Sequence, residues 1–246
     1  MEKLSQLTIS EIVARDYRSA LVFRTFGIDF CCKGDQTIGE ACLGKSINSR
    51  DLLEKLLEAL TSPAEDSFDF KSWPLGLLTN YIETKHHALI QERVPMIRKF
   101  LKRVEKIHGA QDPRLKKVRR IFEKSSEDLQ SHLEREELII FPYIRKIAGA
   151  EDRKTLILSD SYERIREIIT QLMTEHEQEG EYLEQIRILT NNYSPPEYAS
   201  NTYKVALAML EEFDMNMQKH MHLERNILFP GALELSQSNT DSKSSR

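Results

Sequence analysis

The sequence predicts an all-α protein: a four-helix, up-down-up-down bundle preceded by a small helical N-terminal domain. Three observations carry this. The 246 residues include only 9 Gly and 8 Pro, while Leu, Ile, Glu and Lys are abundant, so the punctuation that many strands and turns require is scarce. Apolar residues recur at helical spacing in stretches long enough for a bundle. Two distant segments, HLEREELIIFP (His132 to Pro142) and HMHLERNILFP (His220 to Pro230), repeat one another.

Taken in order, TISEIVARDYRSALVFRTFG reads as a helix with Thr8 or Ser10 as its cap and Gly27 as its stop, and NSRDLLEKLLEAL announces another. Between them FGIDFCCKGDQTIGEAC holds every cysteine of the chain, and its glycines allow sharp turns. These elements make an N-terminal domain over 1–62. The Pro, Ser and Asp content of SPAEDSFDFKSWP sets a linker over 63–74. The bundle then spans 75–235. Its first helix runs to His108 with a kink at Pro95, and its second covers Pro113 to Ile147, capped by Asp112 and stopped by Gly149. The third helix ends at Leu189, and the fourth occupies about Glu197 to Leu235. The polar residues 236–246 are expected to be a disordered tail.

The formal net charge of −4 gives no polyanion-binding footprint, and the basic run RLKKVRR (Arg114 to Arg120) reads as a solvated helix face. No nucleic-acid partner is expected. The N-terminus lacks a signal-peptide pattern, and no window holds the ~20 apolar residues of a membrane span. Three clustered cysteines cannot build a disulfide framework, so the expected compartment is the reducing cytoplasm.

The repeat carries the chemistry. In each copy a His precedes a Glu by four residues, His132 with Glu136 and His220 with Glu224, which places both side chains on one helix face. One His-x-x-x-Glu would be unremarkable; two with matching Phe-Pro endings point to a shared centre. The first helix adds His86 or His87 and the third adds His176. Four imidazoles and two carboxylates suit two metal ions bridged by the glutamates, with room for an oxo or hydroxo bridge; iron is the first expectation and manganese the second. By helical angle Glu137 is expected to be solvated and His222 to face elsewhere. Glu175 reads as solvated too, and Cys42 as structural.

Two further motifs bring a family into view. FGIDFCCKG and HHALIQERVP resemble the signatures of the repair-of-iron-centres proteins, in which a short Cys-Cys domain precedes a hemerythrin-like di-iron bundle. The resemblance implies His87, eight residues before Pro95, as the first-helix ligand. It implies a full set of His87, His132, Glu136, His176, His220 and Glu224, and a functional pair of thiols at Cys31 and Cys32. Hemerythrins proper supply one more His, so the site here should be more open than an oxygen carrier's. The function implied is repair of iron-sulfur clusters damaged by oxidative or nitrosative stress, through supply of iron, with damaged iron-sulfur proteins as partners and nitric oxide or oxygen as small ligands. A di-iron nitric oxide reductase or peroxidase, or an oxygen or nitric oxide sensor, is the alternative. Association into a homodimer is left open.

Overall fold

The computed structural model describes residues 6–31, 33–61, 69–149 and 159–244; Cys32 and most of the linker lie outside them. Among the described residues all regular structure is helical, apart from an isolated bridge between Thr8 and Thr37.

The N-terminal unit holds α1 (Ile9–Arg15), α2 (Arg18–Thr25), α3 (Ile38–Lys45) and α4 (Ser49–Thr61). Thr8 with Glu11, and Thr37 with Glu40, form reciprocal capping boxes that start α1 and α3. Gly27 turns the chain at a φ of 66° after α2, a left-handed conformation that favours glycine. Gly34 is required for a different reason. A Cβ there would stand 2.4 Å from the Phe30 carbonyl oxygen, because the loop is drawn tight by Ile9 N–H donating to Gln36 O and Ser10 N–H to Gly34 O. Ile9, Ile12, Phe23, Ile38, Leu52 and Leu56 fill the unit, and Cys31 and Cys42 are buried within it.

The bundle consists of four long helical runs, three of them interrupted by a wider π-helical turn. The first is α5 (Leu75–Tyr81), a π segment (Ile82–His87) and α6 (Ala88–His108). The second is α7 (Arg114–Arg135), a π segment (Glu136–Ile140) and α8 (Phe141–Gly149). The third, α9 (Ser159–Leu189), is continuous. The fourth is α10 (Asn201–Leu223), a π segment (Glu224–Leu228) and α11 (Phe229–Ser244). Around the bundle, α6 packs against α7 and α10, and α9 against α7 and α11.

Two apolar clusters hold these runs together. One joins α6, α7, α9 and α10 to the N-terminal unit; the other joins α5, α8, the first half of α9 and α11. Every long run passes from one cluster to the other. The polar site lies at that change-over, so its geometry is set from both sides by packed side chains.

Pro95 lies inside α6, downstream of the π segment that ends at His87. Two expectations are corrected. The described end of the expected linker is packed, not free: Phe70 is buried against Trp73 and Tyr81. Residues 236–244, expected to be disordered, continue α11, and buried Ser236 sits 2.9 Å from the Tyr143 hydroxyl.

The N-terminal unit docks on α10. Tyr17 and Phe30 lie with ring centroids 6.1 and 6.0 Å from that of His222, and the Lys219 ammonium sits over the Tyr17 and Phe70 rings. Arg24 reaches across to Glu211 at 3.4 Å and Asp214 at 3.8 Å.

Candidate metal centre

Two of the π turns share a local feature of the repeated sequence. Each ends just before a proline, Pro142 or Pro230, which has no N–H to return a helical hydrogen bond, and the preceding residue bonds five back: Phe141 N–H to Glu136 O, and Phe229 N–H to Glu224 O. The widened turn starts at the glutamate in both copies. Ala88 N–H likewise bonds Glu83 O, and that π segment ends on His87. Sequence reasoning noticed the Phe-Pro endings without reading their consequence.

Six buried side chains converge there as two groups that share both glutamates: His87, His220, Glu136 and Glu224, and His132, His176, Glu136 and Glu224. Each glutamate divides its oxygens. Glu136 Oε2 lies 3.4 Å from His87 Nε2 and 3.8 Å from His220 Nε2, while its Oε1 lies 3.1 Å from His132 Nε2. Glu224 Oε1 lies 3.0 Å from His220 Nε2 and 3.9 Å from His87 Nε2, while its Oε2 lies 3.2 Å from His176 Nε2. Within each group the two imidazoles face each other through Nε2, 3.2 Å apart for His87 and His220 and 3.1 Å for His132 and His176.

These separations are those of ligand atoms sharing an ion about 2.1 Å away. The four glutamate oxygens are buried and receive no hydrogen bond among the described residues, a costly state for two carboxylates unless cations face them. The residues therefore fit two cations, each met by two nitrogens and one oxygen from each carboxylate. Mixed imidazole and carboxylate donors suit iron or manganese; the thiolates of structural zinc are missing from the set.

Second partners orient two of the imidazoles. His87 Nδ1 lies 2.9 Å from Glu137 Oε1, and His132 Nδ1 lies 2.9 Å from Glu175 Oε2, which also binds Arg135. A carboxylate at Nδ1 holds the proton there and leaves the Nε2 lone pair toward the centre. Glu137 and Glu175, both expected to be solvated, thus act on the site. Helical angle alone could not reveal this, because each glutamate reaches an imidazole on a neighbouring helix. Phe141 stacks on His87 and Phe229 on His176, so the phenylalanines of the repeated endings wall the site.

Electrostatics match the geometry. Burial opposes charge on His87 and His132, but Glu136 and Glu224 outweigh it and raise both to about 10. Burial lowers His176. Burial opposes ionisation of Glu136 too, and the imidazoles around it overcome this and hold it ionised. Protons and cations therefore compete for the same atoms.

On the side of His132 and His176 a cavity of about 190 Å³ opens between α7 and α9, lined also by Asp128, Glu175, Glu179 and Tyr182. Other singled-out residues lie elsewhere. His86 is buried outside both groups, with Nδ1 2.7 Å from Asn216 Oδ1. His222 faces the N-terminal unit, and His108 pairs with the Ser200 hydroxyl at 2.9 Å. Cys31 is buried, its N–H donating to Asp29 Oδ1 at 3.0 Å.

Comparison with known proteins agrees with this arrangement. Residues 5–60 match the ScdA N-terminal domain, described as a domain of unknown function, and residues 78–232 match the hemerythrin HHE cation-binding domain. The iron-sulfur cluster repair protein YtfE of Yersinia pestis (strain Pestoides F) is 30% identical over 216 residues, 88% of this chain and 91% of the relative. The chain belongs to the iron-sulfur cluster repair family. A second member, the iron-sulfur cluster repair protein ScdA of Staphylococcus haemolyticus, is 28% identical over 90% of this chain and 95% of its own length. As the iron-sulfur cluster repair architecture implies, the cation-binding match contains all six converging residues, and the thiol-bearing segment falls in the other domain. Among the described residues no helix is long and apolar enough to cross a membrane.

Proposed function

We propose that this protein holds two iron ions, one between His87 and His220 and one between His132 and His176, bridged by Glu136 and Glu224, and that it repairs damaged iron-sulfur clusters by supplying iron. The observation that carries this reading is the division of each glutamate's oxygens between two imidazole pairs. Manganese, which takes the same donors, is the second choice.

The chain's own residues explain a centre that loads and gives up its cargo. Bound iron supplies a redox-active, transferable cation. Glu137 and Glu175 hold the His87 and His132 rings in register, and Phe141 and Phe229 keep bulk water from the faces of His87 and His176. Protons held by His87 and His132 must leave as iron enters, and their return favours its release. Cys31, together with Cys32, is the proposed acceptor of departing iron. Cys31 is buried beside Phe30 at the docking face of the N-terminal unit, so this step requires that unit to open.

The test is transfer of isotopically labelled iron. Purified protein loaded with ⁵⁷Fe should contain about two irons per chain, show a coupled diferric Mössbauer signature, and pass label to a damaged [4Fe–4S] protein as its activity returns. Zinc in place of iron, or restored clusters without label, would refute the reading. Wild-type rates from a Cys31→Ala, Cys32→Ala double variant with full iron would remove the cysteines from it.

A further inference from the structure

A chain of net charge −4 carries ten Lys and Arg against two acids between residues 98 and 120. The fold gathers them. On α6, Lys99, Lys102, Arg103 and Lys106 follow one another at helical spacing on the face turned from the core, and all four are exposed. On α7, Lys116, Lys117 and Arg120 are exposed in the same way. The two helices are antiparallel neighbours clamped by Arg98 to the Glu123 carbonyl oxygen and by Arg119 to Glu105. Helical angles place both basic rows on the outer face of this pair.

The concentration of unpaired cations separates this face from the rest of the surface. Lys55, Lys124, Arg166 and Arg187 pair within their own helices, and exposed cations without a carboxylate within 4 Å among the described residues, such as Lys45, Arg164 and Lys204, stand on separate helices. Within the face only Arg98, Arg114 and Arg119 have carboxylate partners; the other seven cations have none within 4 Å among the described residues. Like charges three and four residues apart on one helix repel, so the arrangement opposes helix stability and calls for a compensating use.

We propose that the outer face of α6 and α7 docks an acidic surface of a partner protein. Charge complementarity selects the occupant's sign, and the surroundings select its class. Met96 and Ile107 border the basic row at 40% and 55% exposure, an apolar flank suited to a protein partner. The rows span roughly 10 Å along α6 and roughly 6 Å along α7, too short to track a duplex, and no aromatic side chain is exposed among them for stacking bases. The rest of the molecule is strongly acidic and would repel an extended nucleic acid or anionic membrane. Lys99 lies twelve residues past His87, about 18 Å along the helix, so the partner is recruited beside the centre without covering it. The N-terminal unit on α10 is left uncovered.

The test uses the full chain and a fluorescein-labelled 20-residue polyglutamate peptide as the acidic probe, followed by anisotropy at 20 and 200 mM NaCl. Substituting Lys99→Glu, Lys102→Glu, Arg103→Glu and Lys106→Glu together should weaken binding at least tenfold at low salt, with circular dichroism and metal content unchanged. Reversing four exposed cations elsewhere (Lys45, Arg164, Arg166 and Lys204) should change it less than twofold. Equal losses in the two variants would overturn the proposal, since net charge alone would then account for binding. Tighter binding of a 20-base-pair duplex or of phosphatidylserine vesicles than of the peptide would overturn it as well. So would a low-salt dimer in sedimentation that the α6 substitutions abolish, which would make a second copy the occupant.

Discussion

At the scale of single residues, the carboxylates one step from the centre govern how tightly it holds a cation. Glu137 and Glu175 each accept a hydrogen bond from the Nδ1–H of an imidazole whose Nε2 faces the site. Glu137→Gln or Glu175→Gln should lower iron affinity about 10- to 100-fold, read by competition with a calibrated chelator, with the helical content intact. Glu179 obeys a different rule. It is buried on α9 with Ser125 Oγ–H donating to it at 2.8 Å, and burial pushes its carboxyl up to about 7. Between the ordinary carboxylate value of 4.5 and about 7 the folded protein keeps a proton that the unfolded chain has lost, so stability falls as pH rises through that window. In the metal-free protein Glu179→Gln keeps the acceptor and cannot ionise. Its stability relative to wild type should therefore be near zero at pH 4.5 and gain on the order of 2–3 kcal/mol by pH 8, measured by urea unfolding.

At the scale of elements, the repeated segments work because a helix is interrupted at a defined residue. His132 and Glu136, four apart, would share a face of any helix; the π turn that starts at Glu136 lets the following Phe141 swing over His87. Pro142, which has no N–H, follows directly after Phe141. Pro142→Ala restores an N–H and permits a regular helix, and should reduce iron to about one per chain or less while far-ultraviolet circular dichroism stays unchanged. Much of this level was legible beforehand. The long helices, a cap at Thr8 or Ser10 and the pairs His132–Glu136 and His220–Glu224 follow from local spacing, which a short stretch of sequence contains in full. The fate of Phe70 and Ser236 did not, because polar and Pro-rich composition describes the stretch around a residue and not the surface that covers it.

At the scale of the whole molecule, the N-terminal unit is part of the same apolar cluster as α6, α7, α9 and α10, and an ionic contact fastens it. Arg24 is mostly covered and reaches Glu211 and Asp214, while Asp214 keeps Tyr193, Gln218 and Arg187 as other partners. Arg24→Ala should therefore cost only about 1 kcal/mol of stability. Its larger effect should be on Cys31, whose alkylation by iodoacetamide, followed by mass spectrometry of the tryptic peptide, is expected to quicken severalfold. No change in that rate would mean that Cys31 is shielded by its own unit and not by docking.

The sequence by itself determined the helical class, the two His-Glu pairs and, through its likeness to the iron-centre repair proteins, the choice of His87 over His86. These are matters of local periodicity and motif, carried by residues near one another in the chain. Only the tertiary structure decided that Glu136 and Glu224 each face both imidazole pairs, that Glu137 and Glu175 buttress His87 and His132, and that seven cations without a carboxylate partner among the described residues share one face of α6 and α7. Each of those facts depends on the rotation and offset of one packed helix against another, which is set by how two apolar clusters interlock along the whole bundle.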